Sequence, residues 1–294
     1  MQWGGGPLYV AHEVLPDQVE IDPTTGRVKP IQAARHEVSL WTMDLNLTTR
    51  MGLLDWLNVR IRFPLRFVNV KAQFRDQVGQ ELIDFVSIHH RDEILVGVGD
   101  PDLQFGFRPL RLTQKQRWLL EFGGGLSFPL GRIEPDPYQA GREGRWHQHI
   151  MFGTGTFDPI GFVTVGYVAP MFQLYTNFFL RGSLYENKHG FQSGLQMRAA
   201  LSAESGFGLK HWSFQVQVAI ILQQAGLWSG QADPDAASGR TDLLVGGGIF
   251  WRPTANWQVF VQVNVPINLH LVGGELTHPI ILGLGLNYQF RLFR

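Results

Sequence analysis

The sequence predicts an all-β protein, a transmembrane antiparallel up-and-down β-barrel of about twelve strands. Three observations predict it. Apolar and polar residues alternate along most of the chain, and side chains in an extended strand point to opposite faces with period two. Short turns alternate with longer loops, as they do in bacterial outer-membrane barrels. Mean hydropathy is near zero at -0.05, and no apolar run approaches the length of a membrane-spanning helix. A barrel hides its hydrophobicity in every second residue, so the three observations agree.

The segment from Met51 to Phe67 shows the pattern most clearly. Leu57, Val59, Ile61, Phe63, Leu65 and Phe67 share one face; Asn58, Arg60, Arg62, Pro64 and Arg66 share the other. From Glu37 to Arg50, Trp41, Met43, Leu45 and Leu47 alternate in the same way with Thr42, Asp44, Asn46 and Thr48. Ahead of these, residues 8–21 hold one candidate strand, and Val19 to Lys29 reads as a tight hairpin with Asp22-Pro23 opening the turn. Residues 68–99 break the alternation. Phe74, Val78, Leu82 and Phe85 recur at three- and four-residue steps, which predicts a short amphipathic helix in one long extracellular loop. A loop this long with a greasy helix face is expected to act as a lid or plug at the barrel mouth. Strands resume at 102–110, 118–129, 155–168, 171–181, 191–202, 212–222, 241–252, 257–271 and 280–293. A final strand that descends to the periplasm and an even count both require a strand before Glu37, which residues 8–21 would supply. The chain then forms a single domain: residues 1–36 give the N-terminal strand and loop, and residues 37–293 the main barrel strands.

Composition narrows the function classes. A net charge of zero argues against a nucleic-acid binder, which needs a basic surplus for phosphates. The absence of cysteine removes disulfides and thiol chemistry. Gly123-Gly124-Gly125 does not lead into a helix with a basic residue, so no phosphate loop is read there. His211 near Ser213, and His270, complete no catalytic triad, so the chain is read as a non-enzyme without a cofactor. His89-His90 with Asp92 and Glu93, and His147 with His149, resemble parts of a metal site, but neither supplies a full ligand set. No metal is expected.

Three stretches carry a resemblance. They are Met51-Gly-Leu-Leu-Asp-Trp-Leu57, Gly97-Val-Gly-Asp100 followed by Leu103-Gln-Phe-Gly-Phe107, and Gly123-Gly-Gly-Leu-Ser-Phe-Pro-Leu-Gly131. Together they resemble the outer-membrane family of proposed transporters of the meta-pathway of phenol degradation, most closely over residues 50–131. Met51, Leu54, Leu130 and Pro101 depart from that family's pattern. The resemblance implies a small porin-like barrel that passes hydrophobic compounds, and it carries no catalytic residues. Gly283 to Phe290 also resembles the last-strand signal read by the barrel-assembly machinery, although four residues follow the aromatic.

The inward face predicted by alternation carries Arg50, Arg60, Arg62, Arg66, Arg108, Arg181, Arg198, Arg252 and Arg291, with Glu121 and Asp242 among fewer carboxylates. Two readings follow: a basic lumen that favours anions, or arginines that pair and fill a narrow barrel. The expected function is an outer-membrane channel or transporter for small hydrophobic or anionic molecules. The alternative is a closed structural barrel that anchors a multi-protein assembly in the outer membrane. Expected partners are outer-membrane lipid and lipopolysaccharide, a small-molecule solute, the barrel-assembly machinery and, in the alternative, other proteins. The opening Met-Gln-Trp-Gly-Gly-Gly has no basic or apolar signal region, so the expectation is a mature bacterial outer-membrane chain.

Overall fold

The computed structural model describes residues 2–13, 19–21, 25, 28–30, 35–83, 91–110, 116–147, 149–232, 239–272 and 275–289. Among them, twelve antiparallel strands close into a barrel. The first three are Gln2–Glu13, Arg35–Leu54 and Leu57–Arg75. The fourth is interrupted, as Glu93–Val98 and Asp102–Leu110. The fifth to eighth are Trp118–Ser127, Asp158–Val168, Gln173–Arg181 and Gln196–Ser205. Trp212–Gln223, Arg240–Trp251 and Trp257–Leu271 follow, and the twelfth is split into Glu275–Thr277 and Ile281–Tyr288. The first strand pairs with both the second and the twelfth, which closes the barrel.

The alternation sets which face is wet. Ile61, Phe105, Phe122, Val163, Val216, Val261 and Leu284 are exposed on the outside, forming a continuous apolar belt. Such a belt far exceeds the apolar patches that soluble monomers leave in water, and it is stable against hydrocarbon. Around the end where the links are short, aromatic pairs ring the barrel. Ring centroids are 5.5 Å apart for Trp56 and Phe107, 4.9 Å for Trp118 and Tyr167, and 6.0 Å for Trp212 and Trp251. Trp257 and Tyr288 add a pair at 4.6 Å. Amphipathic rings at this height suit a headgroup layer. Trp228 does not join them. It is buried at the opposite end, against Phe191 at 4.9 Å.

Two expectations need correction. The N-terminal barrel strand runs from Gln2 to Glu13, not within 8–21. Alternation cannot reveal it, because Gly4, Gly5 and Gly6 carry no side chains to alternate. Gly5 and Gly6 are required by crowding: a Cβ on Gly5 would lie 2.0 Å from the Thr42 carbonyl oxygen, and one on Gly6 2.1 Å from that of Ile280. Residues 19–21 and 28–30 do pair, as the short hairpin beyond this strand.

The second correction concerns the helix read from Phe74, Val78, Leu82 and Phe85. The third strand continues through Phe74, which is buried, and a turn follows in which Val78 is 85% exposed. Asp76 Oδ1 accepts from the amides of Val78 and Gln80, at 2.9 and 2.8 Å, and so fixes that turn. Leu82 is half-buried beyond it, and Phe85 lies outside the described residues. A long strand that reverses in an Asp-initiated turn can mimic helical spacing over four residues. The helix that does form is Pro137–Arg142, in the next long loop, capped by Asp136 through the amides of Tyr138 and Gln139.

That loop, residues 128–157, shapes the loop end of the barrel. The fifth strand stops at Ser127 and the sixth starts at Asp158. The upper part of the fourth strand, Glu93–Val98, pairs with the third strand but has no strand on its other side among the described residues. The loop stands in that place and folds inward. The Phe152 ring rests on Gly97, where an added Cβ would lie 2.4 Å from the ring. Phe152 thereby completes an apolar cluster inside the barrel with Val38, Leu40, Val68, Val70 and Leu95.

Candidate functional site: the barrel lumen

The strands enclose a cavity of about 1860 Å³. It reaches from Asn287 and Gln289 near the short-turn end to His149 and Phe152 of the inward loop. Arg50, Arg60, Arg62, Arg66, Arg108, Arg181 and Arg198 all line it, among amides such as Asn46, Gln104 and Gln217. Glu121, Asp242 and Arg252 sit on the same inner face, engaged with neighbours rather than bordering the open space.

Most of these guanidiniums meet carboxylates. Glu121 is shared: Arg50 bonds both its oxygens, and Arg108 Nε donates to Oε2 at 2.5 Å. Arg62 reaches Asp102 at 2.6 Å, Arg66 reaches Asp44 at 3.1 Å, and Arg252 reaches Glu204 at 2.7 Å. Asp242 lies 3.2 Å from Arg240 and accepts from Asn268 Nδ2 at 3.0 Å. Two arginines differ. Arg60 bonds the Gln104 side-chain oxygen and lies over the Phe162 ring, 5.4 Å from its centroid. Arg198 projects into the cavity with no hydrogen bond or ion pair among the described residues. Arg291, also read as inward from sequence, lies outside them.

Sequence reasoning missed three of the counter-charges. Asp100 sits in the break of the fourth strand and Asp158 at a loop–strand junction, where alternation has no phase to read. Glu204 lies on the inner face of Gln196–Ser205, two residues past Ser202, where the strand expected from sequence stops. With these included, the positive surplus concentrates on Arg60, Arg198 and the Arg50–Arg108 pair sharing one carboxylate.

Asp100 and Asp158 also explain how the inward loop is held. Arg181 Nη2 lies 3.2 Å from Asp100 and 2.7 Å from Asp158. Asp100 accepts from the amide of Gly131 at 2.9 Å and from that of Thr154 at 2.8 Å, so it ties both ends of the loop to the wall. Asp158 accepts from Thr156 Oγ1 at 2.6 Å and Ser183 Oγ at 2.7 Å. Asn187 Nδ2 adds a bond to the Thr154 carbonyl at 2.8 Å. Both carboxylates are almost wholly buried, where unpaired charge is costly, so the network specifies one loop position. Among the described residues, the segment that narrows the lumen is therefore 128–157; residues 84–90, in the middle of the loop expected to do so, lie outside them. Contact was the missing information: nothing in the spacing of the Pro- and Gly-rich loop says that it turns inward.

The loop carries a proton-sensitive group. Burial, then the nearby Arg91 guanidinium, push His147 below the usual imidazole range, against a hydrogen bond that its ring Nδ1–H donates to the Arg145 carbonyl and that raises it. Its ring stacks edge-on against His149 at 5.3 Å. The packed loop thus prefers neutral His147. Its contribution is full above the ordinary imidazole value of about 6.5 and declines as pH falls below it toward the lowered folded value. Limited proteolysis within 133–151 should therefore accelerate more steeply below that pH in the native chain than in a His147→Gln variant. Identical profiles would remove this histidine from the loop's stability. The two histidines acquire no third ligand: among the described residues no group of three His, Asp or Glu could hold a metal. His89 and His90 lie outside those residues.

No family model and no curated protein matches the chain by sequence. Among solved structures, an outer membrane channel from Pseudomonas putida F1 superposes with a TM-score of 0.55 and 14% identity, over 97% of this chain and 94% of that one. That likeness shows the fold. The NanC porin (6% identity, 97% and 99% coverage) and the CymD monoaromatic hydrocarbon channel (8%, 98% and 87%) align more loosely, each with a TM-score of 0.44.

Proposed function

We propose that this barrel is an outer-membrane channel for small solutes, and that its lumen favours anions. The observation that carries this reading is the pairing of an apolar exterior with a large polar cavity whose uncompensated charge is positive, at Arg60 and Arg198. A fixed positive wall in a narrow aqueous path favours anions over cations, and added salt weakens the preference by screening. The loop end, with its longer links, would face outward and the short turns the periplasm. The belt and aromatic ring would contact lipid and lipopolysaccharide, with insertion depending on the barrel-assembly machinery. The hydrophobic solutes implied by the sequence resemblance would need a continuous apolar path, and arginines and amides interrupt the apolar stretches of the wall, such as Pro64, Phe179 and Ile221.

Reversal potentials in a salt gradient across planar bilayers test the reading. The expected result is anion preference that shrinks at high salt, with a several-fold larger conductance once residues 133–151 are replaced by a short Gly/Ser linker. Cation preference would overturn the basic-lumen argument. A barrel that folds but never conducts would favour the closed, partner-binding alternative.

A further inference from the structure

We infer that the middle of the lumen holds a binding subsite for aromatic carboxylates, formed by Arg60, Phe162, Phe179 and Arg198. The inference deepens the channel reading by naming a solute class, and it rests on that reading only for the solute's passage.

Register brings the four residues together. Phe162 of the sixth strand pairs with Phe179 of the seventh, and Phe179 pairs with Arg198 of the eighth. Directly opposed residues share a face, with Cβ atoms about 4.5–5.5 Å apart. Phe179 and Arg198 line the cavity, so the shared face is the inner one. On the other flank Phe162 pairs with Gly123, and a Cβ there would lie 2.7 Å from the tip of the Phe162 ring. The glycine lets the ring lean toward the third strand, where the Arg60 guanidinium sits over it. The result is a row across the wall: guanidinium, phenyl, phenyl, guanidinium.

The row has two unmet needs. Arg60 and Arg198 have no carboxylate, whereas the other cavity-lining arginines ion-pair with one. A guanidinium in a confined lumen gains from a bidentate anion, and a carboxylate fits its planar fork. The two phenyl rings lie between the guanidiniums on the inner face, and their natural partner is another flat apolar surface at centroid distances of about 4.5–7 Å. An inorganic anion meets only the first need, and a neutral hydrocarbon only the second. An aromatic ring bearing one carboxylate meets both.

Calorimetric titration of the folded barrel in detergent with benzoate, and separately with acetate, tests this without requiring conduction. Benzoate should bind measurably tighter than acetate. Arg198→Gln should weaken benzoate about tenfold, the loss of a charged bidentate contact, with Arg198→Lys in between. Phe179→Leu should erase the preference for benzoate over acetate while leaving acetate unchanged, and Lys210→Gln, exposed in a short turn away from the cavity, should alter neither. Heat-modifiable migration on gels confirms that each variant is folded. Equal binding of the two acids, or benzoate binding indifferent to both Arg198 and Phe179, overturns the subsite. Benzoate binding by a barrel that carries no current keeps the subsite and overturns the channel; anion current with no benzoate preference does the reverse.

Discussion

Replacing Arg181 with Met is expected to destabilise the barrel by about 3–5 kcal/mol, the cost of leaving buried carboxylates without their cation. Arg181 is only 14% exposed, and its two partners, Asp100 and Asp158, are 1% exposed. Those carboxylates also hold Gly131, Thr154, Thr156 and Ser183. Losing the guanidinium therefore frees the inward loop as well as weakening the wall. The urea midpoint for unfolding should fall, and conductance should rise toward that of the loop-replaced barrel. Adding Asp100→Asn and Asp158→Asn should recover part of the loss, because the neutral amides no longer need a cation. An Arg181→Met barrel with an unchanged midpoint would show that the three residues do not act as a clamp.

An arginine at Ile61 is the second large effect. Ile61 is 49% exposed on the apolar outer face, flanked on the same strand by the inward Arg60 and Arg62. If that face lies in hydrocarbon, Ile61→Arg costs about 2–4 kcal/mol near the midplane. Arg60→Gln, one residue away on the wet side, should alter folding into lipid much less. Urea titration of barrels refolded in bilayers would measure both. Equal costs at the two positions would mean that the outer belt does not meet lipid.

The contrast between adjacent residues shows why so much of the fold was legible. Each barrel strand separates two media, so every second residue reports which medium it meets. That signal is local and survives without any knowledge of neighbours. It located strands two to twelve, except the end of the third and the upper part of the fourth at Glu93–Val98, which were read as loop, together with the inward arginines and the apolar outer face. It fell silent where side chains are absent, at Gly4 to Gly6, and where the backbone leaves the ladder, at Asp100 and Asp158. At Phe74 and Val78 a strand running into a turn imitated another period.

From the sequence alone came the closed antiparallel barrel, the near-complete strand count and the two faces, because period-two patterning is a property of each strand by itself. Only the tertiary structure decided which charges cancel and which loop turns inward. Arg50 meets Glu121 across 71 positions of sequence, and Arg181 meets Asp100 across 81. No periodicity encodes such pairs. They depend on the register that closes the barrel and on a loop that seats Phe152 against Gly97, and both are set by contacts between segments far apart in the chain.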